Sequence, residues 1–329
     1  MIAEAGSNHD GKRDQAKRLI EVAAEAGADA VKFQLFTAAR LYPPNAGVSD
    51  YLGVRKSIYD IIRDAEMPRE WLPKLAGHCR KFGVEFLASP FDQESADALD
   101  TYVDVYKIAS YEMTHYPLID HILKKRKPII LSTGTASLAE VREVVRRIRR
   151  RTERLILLQC TAAYPVPLSA INVRVIESFR REFGLICGLS DHSADHLAAP
   201  MAATALGAKV IEKHYTLDKK LKGPDHPNSL SPAELKEMIT RIRQTEAVLG
   251  SPVKRCEPVE RELHAFARRC VFTSRPIRMG ERFTEENTEV LRRGKHAAGL
   301  APKFHPRLLG RKSLRALAAF QPLRASDVG

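Results

Sequence analysis

The sequence predicts a (β/α)8 barrel (TIM barrel) followed by a small β-rich module, on three observations. Short, apolar, β-rich runs recur eight times from the first residue onward. Amphipathic, helix-favouring stretches lie between them, and Gly27, Gly83, Gly184, Gly207 and Gly250 fall where helix C-terminal glycines are expected. Beyond residue 250 the alternation stops and short strands and turns take over. Eight β-then-α units favour the barrel, with a doubly wound sheet as the second architecture.

The β-rich runs occupy residues 2–6, 30–34, 85–89, 105–110, 128–133, 155–160, 186–191 and 209–215. Most are almost continuously hydrophobic, as parallel strands covered on both faces must be. Helical patterns cover 15–27, 70–83, 138–150, 170–184, 196–208 and 232–250. Residues 251–268 carry two prolines and dense charge, and read as a linker or helical bridge. The tail, 269–329, has about 60 residues, a thin core for an independent domain, so it is expected to dock on something. The expected organisation is therefore a barrel over 1–250, a linker over 251–268 and a tail domain over 269–329.

Composition narrows the function class. The chain has 329 residues, 44% of them hydrophobic, which is ample for a packed core and disfavours disorder. No apolar run approaches a membrane span, no secretory signal is expected, and five cysteines without CxxC spacing suit a reduced cytoplasm. With 53 Lys+Arg against 40 Asp+Glu the net charge is +13, which admits nucleic acid, an anionic membrane or an anionic substrate. No helix-turn-helix, zinc or RNP motif accompanies the charge, and a nucleic-acid-binding protein is the weakest reading. The run at 146–154 reads as a solvated helix face. GxGxxG and GxxxxGK[ST] are absent, so a nucleotide phosphate has no motif support.

A barrel works at the C-terminal ends of its strands. The polar residues there are Glu4, Ser7, Asn8 and His9 from the first, Lys32 and Gln34 from the second, and Ser89 from the third. The fourth contributes Lys107, Ser110 and Glu112, the fifth Ser132 and Thr133, the sixth Cys160 and Thr161. Ser190, Asp191 and His192 end the seventh, and Glu212, Lys213 and His214 the eighth. Ionisable groups in apolar strands cost several kcal/mol unless paired or liganded, so one shared site explains them better than separate ion pairs. His192 and His214 end neighbouring strands and could share one divalent ion. Lys32, Lys107, Ser110, Ser132 and Ser190 make a cradle for a compact phosphate. Asp225, in the long loop 219–232, could reach a substrate hydroxyl, and the extended segment 36–60 is long enough to fold over the mouth.

These residues lie in stretches that resemble the N-acetylneuraminate (sialic acid) synthase family: IAEAGSNHDG (2–11), ADAVKFQ (28–34), LASPFD (87–92), YKIASYEMTHYPLI (106–119), ILSTGTASLAEV (130–141), LLQCTAAYPVP (157–167), GLSDHS (188–193), ALGAKVIEKHYTLD (205–218) and GPDH (223–226). The tail resembles the family's antifreeze-protein-like (β-clip) domain through IRMGERFTEENTEVLRR (277–293) and LLGRKS (308–313). The resemblance implies condensation of phosphoenolpyruvate with an open-chain N-acylated hexosamine and water, giving a nonulosonic acid and inorganic phosphate. It implies phosphoenolpyruvate contacts at Lys107, Ser110, Ser132 and Ser190, with Lys32 and Gln34 beside them. It also implies a metal pair at His192 and His214, manganese first, with magnesium, cobalt, iron or zinc as alternatives.

Glu4, Glu112, Tyr164 and Asp225 match positions around the acceptor sugar and the proton transfers, with His214 at the catalytic centre. Arg292 matches a tail-domain arginine that reaches the partner's sugar site in a domain-swapped homodimer. Four departures stand out. Met1 abuts the first strand where the family has a short hairpin, and Ala162 stands where some members have asparagine. Arg292-Arg293-Gly294-Lys295 replaces a common Arg-Pro-Gly. SYEMTH leans toward pseudaminic or legionaminic acid synthesis and GPDH toward sialic or legionaminic acid, leaving the sugar open. The nearest alternative is another phosphoenolpyruvate-using or metal-dependent barrel enzyme.

Overall fold

The computed structural model describes residues 1–48 and 56–329. Strand β1 (Ile2–Gly6) pairs in parallel with β2 (Ala30–Leu35) on one side and β8 (Val210–His214) on the other. The sheet runs β3-β2-β1-β8-β7-β6-β5-β4, with β3 at Glu85–Pro90, β4 at Tyr106–Ile108, β5 at Ile129–Ser132, β6 at Leu155–Cys160 and β7 at Ile186–Asp191. Its two ends, β3 and β4, lie against each other, so the eight strands form a ring.

Alternation along each strand divides the ring into layers. Outward residues such as Ala3, Val31, Phe33, Ile129 and Leu157 are buried under the surrounding helices. Helix Arg13–Ala26 shows how: Ala16, Leu19, Ile20 and Ala23 recur at helical spacing on its buried face. Inward residues begin as an apolar floor of Ile2, Ala30, Leu87, Ile130 and Leu158, with Val105, Ile156 and Val210 packed against it. Two residues further along, Ile2 gives way to Glu4, Ala30 to Lys32, Leu87 to Ser89, Ile130 to Ser132 and Val210 to Glu212. One step of the pleat thus converts a dry floor into a polar mouth. Gly188 is forced by this ring, because a Cβ there would lie 2.0 Å from the Val210 carbonyl oxygen.

Helices Leu138–Arg149 and Pro232–Leu249 start where the sequence placed them, each fixed by a capping box, Ser137 with Glu140 and Ser231 with Glu234. The pattern at 170–184 starts late: Asn172 has φ of 52°, and the α-helix runs only over Val175–Phe183. Helices Gln93–Leu99 and Tyr116–Leu123 were not among the predicted elements. Of the extended segment 36–60, residues 38–41 and 58–64 are helical, while 49–55 lie outside the described residues. In the run 146–154, Arg147 pairs with Asp120 and Arg149 with Glu153 on the surface. No helix among the described residues is long and apolar enough to cross a membrane.

The chain divides into two compact units, Met1–Gly250 and Ser251–Gly329. In the second, residues 261–267 are helical, and β9 (Arg269–Thr273) pairs antiparallel with β10 (Thr288–Arg292). Its own small core comprises Val271, Ile277, Phe283, Leu308, Leu317 and Leu323.

Candidate active site

Four charges meet inside the barrel just above the floor. Glu4, Lys32, Lys107 and Glu212 are 1%, 3%, 1% and 5% exposed. Lys32 Nζ lies 2.8 Å from Glu4 Oε2 and 3.8 Å from Glu212 Oε2. Lys107 Nζ lies 3.6 Å from Glu212 Oε1 and donates to Ser132 Oγ at 2.7 Å. Lys32 also donates to Ser89 Oγ at 3.3 Å, Gln34 Nε2 donates to Glu4 Oε1 at 3.0 Å, and Ser190 Oγ donates to Glu212 Oε1 at 2.9 Å. Burial opposes charge on Lys32, but Glu212 and Glu4 outweigh it and raise its pKa. Burial lowers Lys107, helped by Lys32 and opposed by Glu212. Burial works against the Glu212 carboxylate too, yet Lys107 and Lys32 hold it down to about 2. Two lysines thus face two carboxylates inside the barrel, each within ion-pair distance of an opposite charge.

Beside this ring, Ser110 Oγ accepts the Gly134 N–H at 3.0 Å. A Cβ at Gly134 would stand 2.8 Å from Ser110 Oγ and 3.0 Å from Cys160 Sγ, so the glycine keeps this corner open. Lys107, Ser110, Ser132, Ser190 and the Gly134 N–H gather donors at one end of the barrel, which can hold a small anion.

The second cluster sits on the ends of β7 and β8. The His192 and His214 rings are 5.6 Å apart. Tyr164 stacks on His192 at 4.2 Å, with its hydroxyl 3.2 Å from Nε2. His192 Nδ1 faces the Thr161 carbonyl oxygen at 3.2 Å. Burial, aided by His214, pushes His192 down to about 3, so the imidazole is neutral. His214 Nδ1 is buried without a hydrogen-bond partner and lies 4.0 Å from Asp225 Oδ2. Tyr164, His192, His214, Asp225 and Asn228 line one pocket.

A neutral imidazole beside a buried, unsatisfied ring nitrogen fits a shared divalent ion. Among the described residues no three His, Cys, Asp or Glu side chains form a cage, so this pair would leave the remaining positions to substrate and water.

Glu112 lies on the 3₁₀ turn Ser110–Thr114, paired with His115 Nδ1 at 3.1 Å. Burial raises its pKa, with His115 opposing. Asp191 and Lys213, whose strand-end positions point to the mouth, pair with each other at 2.5 Å, and Lys213 is further held by the Ser193 and Asp195 carbonyls. They immediately precede His192 and His214, so alternation points them away from the inward ring. Arg292 is the last residue of β10 in the second unit. Glu212 is central to the geometry although the family resemblance assigns it no role. Its i, i+2 spacing from His214 was the signal that could have found it.

A (β/α)8 barrel whose ionisable side chains converge at the C-terminal ends of its strands is an enzyme of the barrel class. This chain belongs to the NeuB family, whose model matches residues 19–254, and a SAF domain follows at 268–329. It is 44% identical to the spore coat polysaccharide biosynthesis protein SpsE of Bacillus subtilis, over 92% of this chain and 86% of that protein. It is 37% identical to an N,N'-diacetyllegionaminic acid synthase of Campylobacter jejuni, over 94% of each chain. A crystal structure of N-acetylneuraminic acid synthetase from Leptospira borgpetersenii, in complex with citrate, superposes with a TM-score of 0.73 at 31% identity, over 80% of this chain and 89% of that one.

Proposed function

We propose that the protein joins phosphoenolpyruvate to the aldehyde carbon of an open-chain N-acylated hexosamine, N-acetylmannosamine or a 2,4-diacetamido-trideoxyhexose. The products are a nonulosonic acid of the sialic, legionaminic or pseudaminic type and inorganic phosphate. The observation that carries this reading is the pairing of the Lys107–Ser132 donor cluster with the His192–His214 pair at one barrel mouth. Lys107, Ser110, Ser132 and Ser190 bind the phosphate, and Lys32 with Gln34 holds the carboxylate end. Their charge offsets the repulsion between two anionic groups in a closed site. His192 and His214 would hold a divalent ion, manganese first, and such an ion supplies Lewis acidity at the acceptor carbonyl when bound.

C3 of phosphoenolpyruvate forms the new bond to the aldehyde carbon, whose oxygen takes up a proton and becomes a hydroxyl. Water adds to the resulting oxocarbenium at C2 and gives up one proton, which offsets the one taken up by the aldehyde oxygen. The C2–O bond to phosphate then breaks as the new hydroxyl passes its remaining proton to the departing phosphate, leaving a ketone. Glu4 and Glu112 are the candidates for these proton transfers. Glu112, its pKa raised by burial, is more suited to holding a proton than an exposed carboxylate would be. Tyr164 and Asp225 face the sugar. In a domain-swapped homodimer Arg292 would reach the partner's sugar site, and a cytoplasmic setting supplies phosphoenolpyruvate. The test is phosphate release from phosphoenolpyruvate across a panel of acylated hexosamines. Release that depends on one of these sugars supports the reading, and release that ignores all of them refutes it.

A further inference from the structure

Asp225 does not sit on a strand; it hangs in the loop after β8, where its Oδ2 accepts from Ser7 Oγ at 3.2 Å, and its place at the mouth depends as well on what pins that loop. The loop is closed at its base by Thr216 and Leu230: the Thr216 N–H donates to the Leu230 carbonyl oxygen at 2.9 Å, and the Leu230 N–H to that of His214 at 2.9 Å. Its tip is held by His226, which is 0% exposed. His226 Nε2 meets Asp10 Oδ1 at 2.8 Å and Nδ1 meets Thr216 Oγ1 at 2.6 Å. Asp10 lies in the turn after β1, in a left-handed conformation at φ 49°, with its second oxygen accepting from Gln15 Nε2 at 2.7 Å. Over the relay lies Gly223, where a Cβ would fall 2.8 Å from His226 Cδ2 and 3.3 Å from Asp10 Oδ1. A side chain there would have to displace the imidazole.

A fully buried imidazole bonded at both nitrogens, one residue from the carboxylate facing the pocket, has little freedom to move. We propose that Asp10, His226 and Thr216 form a positioning relay that fixes Asp225 for binding the acceptor sugar, and that none of the three touches substrate. The relay ties the loop after β8 to the loop after β1, so sugar recognition depends on two loops held in register. This rests on the assignment of Asp225 to the acceptor side.

Steady-state kinetics with each substrate varied, on the full-length protein, test it. His226→Ala is expected to raise the acceptor KM by about tenfold or more, the equivalent of one lost buried hydrogen bond or two. Its phosphoenolpyruvate KM should stay within about twofold of the parent, since the Lys107 cluster is untouched. Asp10→Asn keeps an oxygen for the imidazole N–H and should stay much closer to the parent than Asp10→Ala. Asp10→Ala combined with His226→Ala should be no worse than His226→Ala alone, because both cut one relay. Thr216→Val provides the same readout if His226→Ala does not fold. An unchanged acceptor KM in His226→Ala or Thr216→Val, or equal rises in both substrates' KM, overturns the relay. A parent enzyme inactive with every acylated hexosamine would instead overturn the assigned reaction.

Discussion

Replacing Glu212 by Gln keeps the shape of the side chain and its oxygen for Ser190, but removes the negative charge that Lys32 and Lys107 share. At separations of 3.6 and 3.8 Å each attraction is worth about 4 kcal/mol with an effective dielectric of 20. Desolvation already offsets much of that sum, and removing one member of a buried pair costs about 3–5 kcal/mol. Burial already disfavours charge on Lys107, which softens the defect, so the lower end is expected. Trp71 is the only tryptophan and is buried in the barrel unit, so its fluorescence during urea unfolding reports on the barrel itself. The expected loss is about 3 kcal/mol, and adding Lys107→Met should recover most of it by removing the stranded charge while leaving Lys32 on Glu4. Glu212→Gln within about 1 kcal/mol of the parent would refute the charge-balanced ring.

Other outcomes follow from the same geometry. Gly188→Ala should cost at least about 2 kcal/mol in the same assay, because the added methyl meets backbone and not a movable side chain. The Glu212 pKa is depressed on folding, so its contribution is complete above about pH 4.5 and fades as pH falls toward 2; Glu212→Gln should flatten that part of the stability profile. Lys107→Met should abolish stabilisation by phosphoenolpyruvate, which for the parent would be about 2.7 kcal/mol at a hundredfold excess over Kd.

Much of this architecture was legible because the barrel repeats one physical rule. Near-continuous apolar runs located all eight strands, and strand-end position picked out Glu4, Lys32, Lys107, Ser132, His192 and His214. What escaped has identifiable causes. Helix Gln93–Leu99 is a single short element fixed by the Asp92 cap, whose Oδ1 accepts from the Ser95 N–H at 2.7 Å, too short to show an amphipathic period. Asp191 and Lys213 share strand ends with the site but fall on the wrong side of the pleat, so position without parity misplaced them. Glu212 was visible at a strand end, but its partners Lys32 and Lys107 come from across the ring. His226 and Asp10 are 216 residues apart, and no local pattern brings them together.

The central claim is condensation with cleavage of the carbon–oxygen bond of phosphoenolpyruvate, and the fate of water's oxygen tests it most directly. The reaction should be run in ¹⁸O-labelled water with an accepted acylated hexosamine, and the released phosphate analysed by mass spectrometry. Water attacks C2, so the phosphate should leave with its original four oxygens and carry no label. Labelled phosphate would mean that water attacked phosphorus, and would contradict the account.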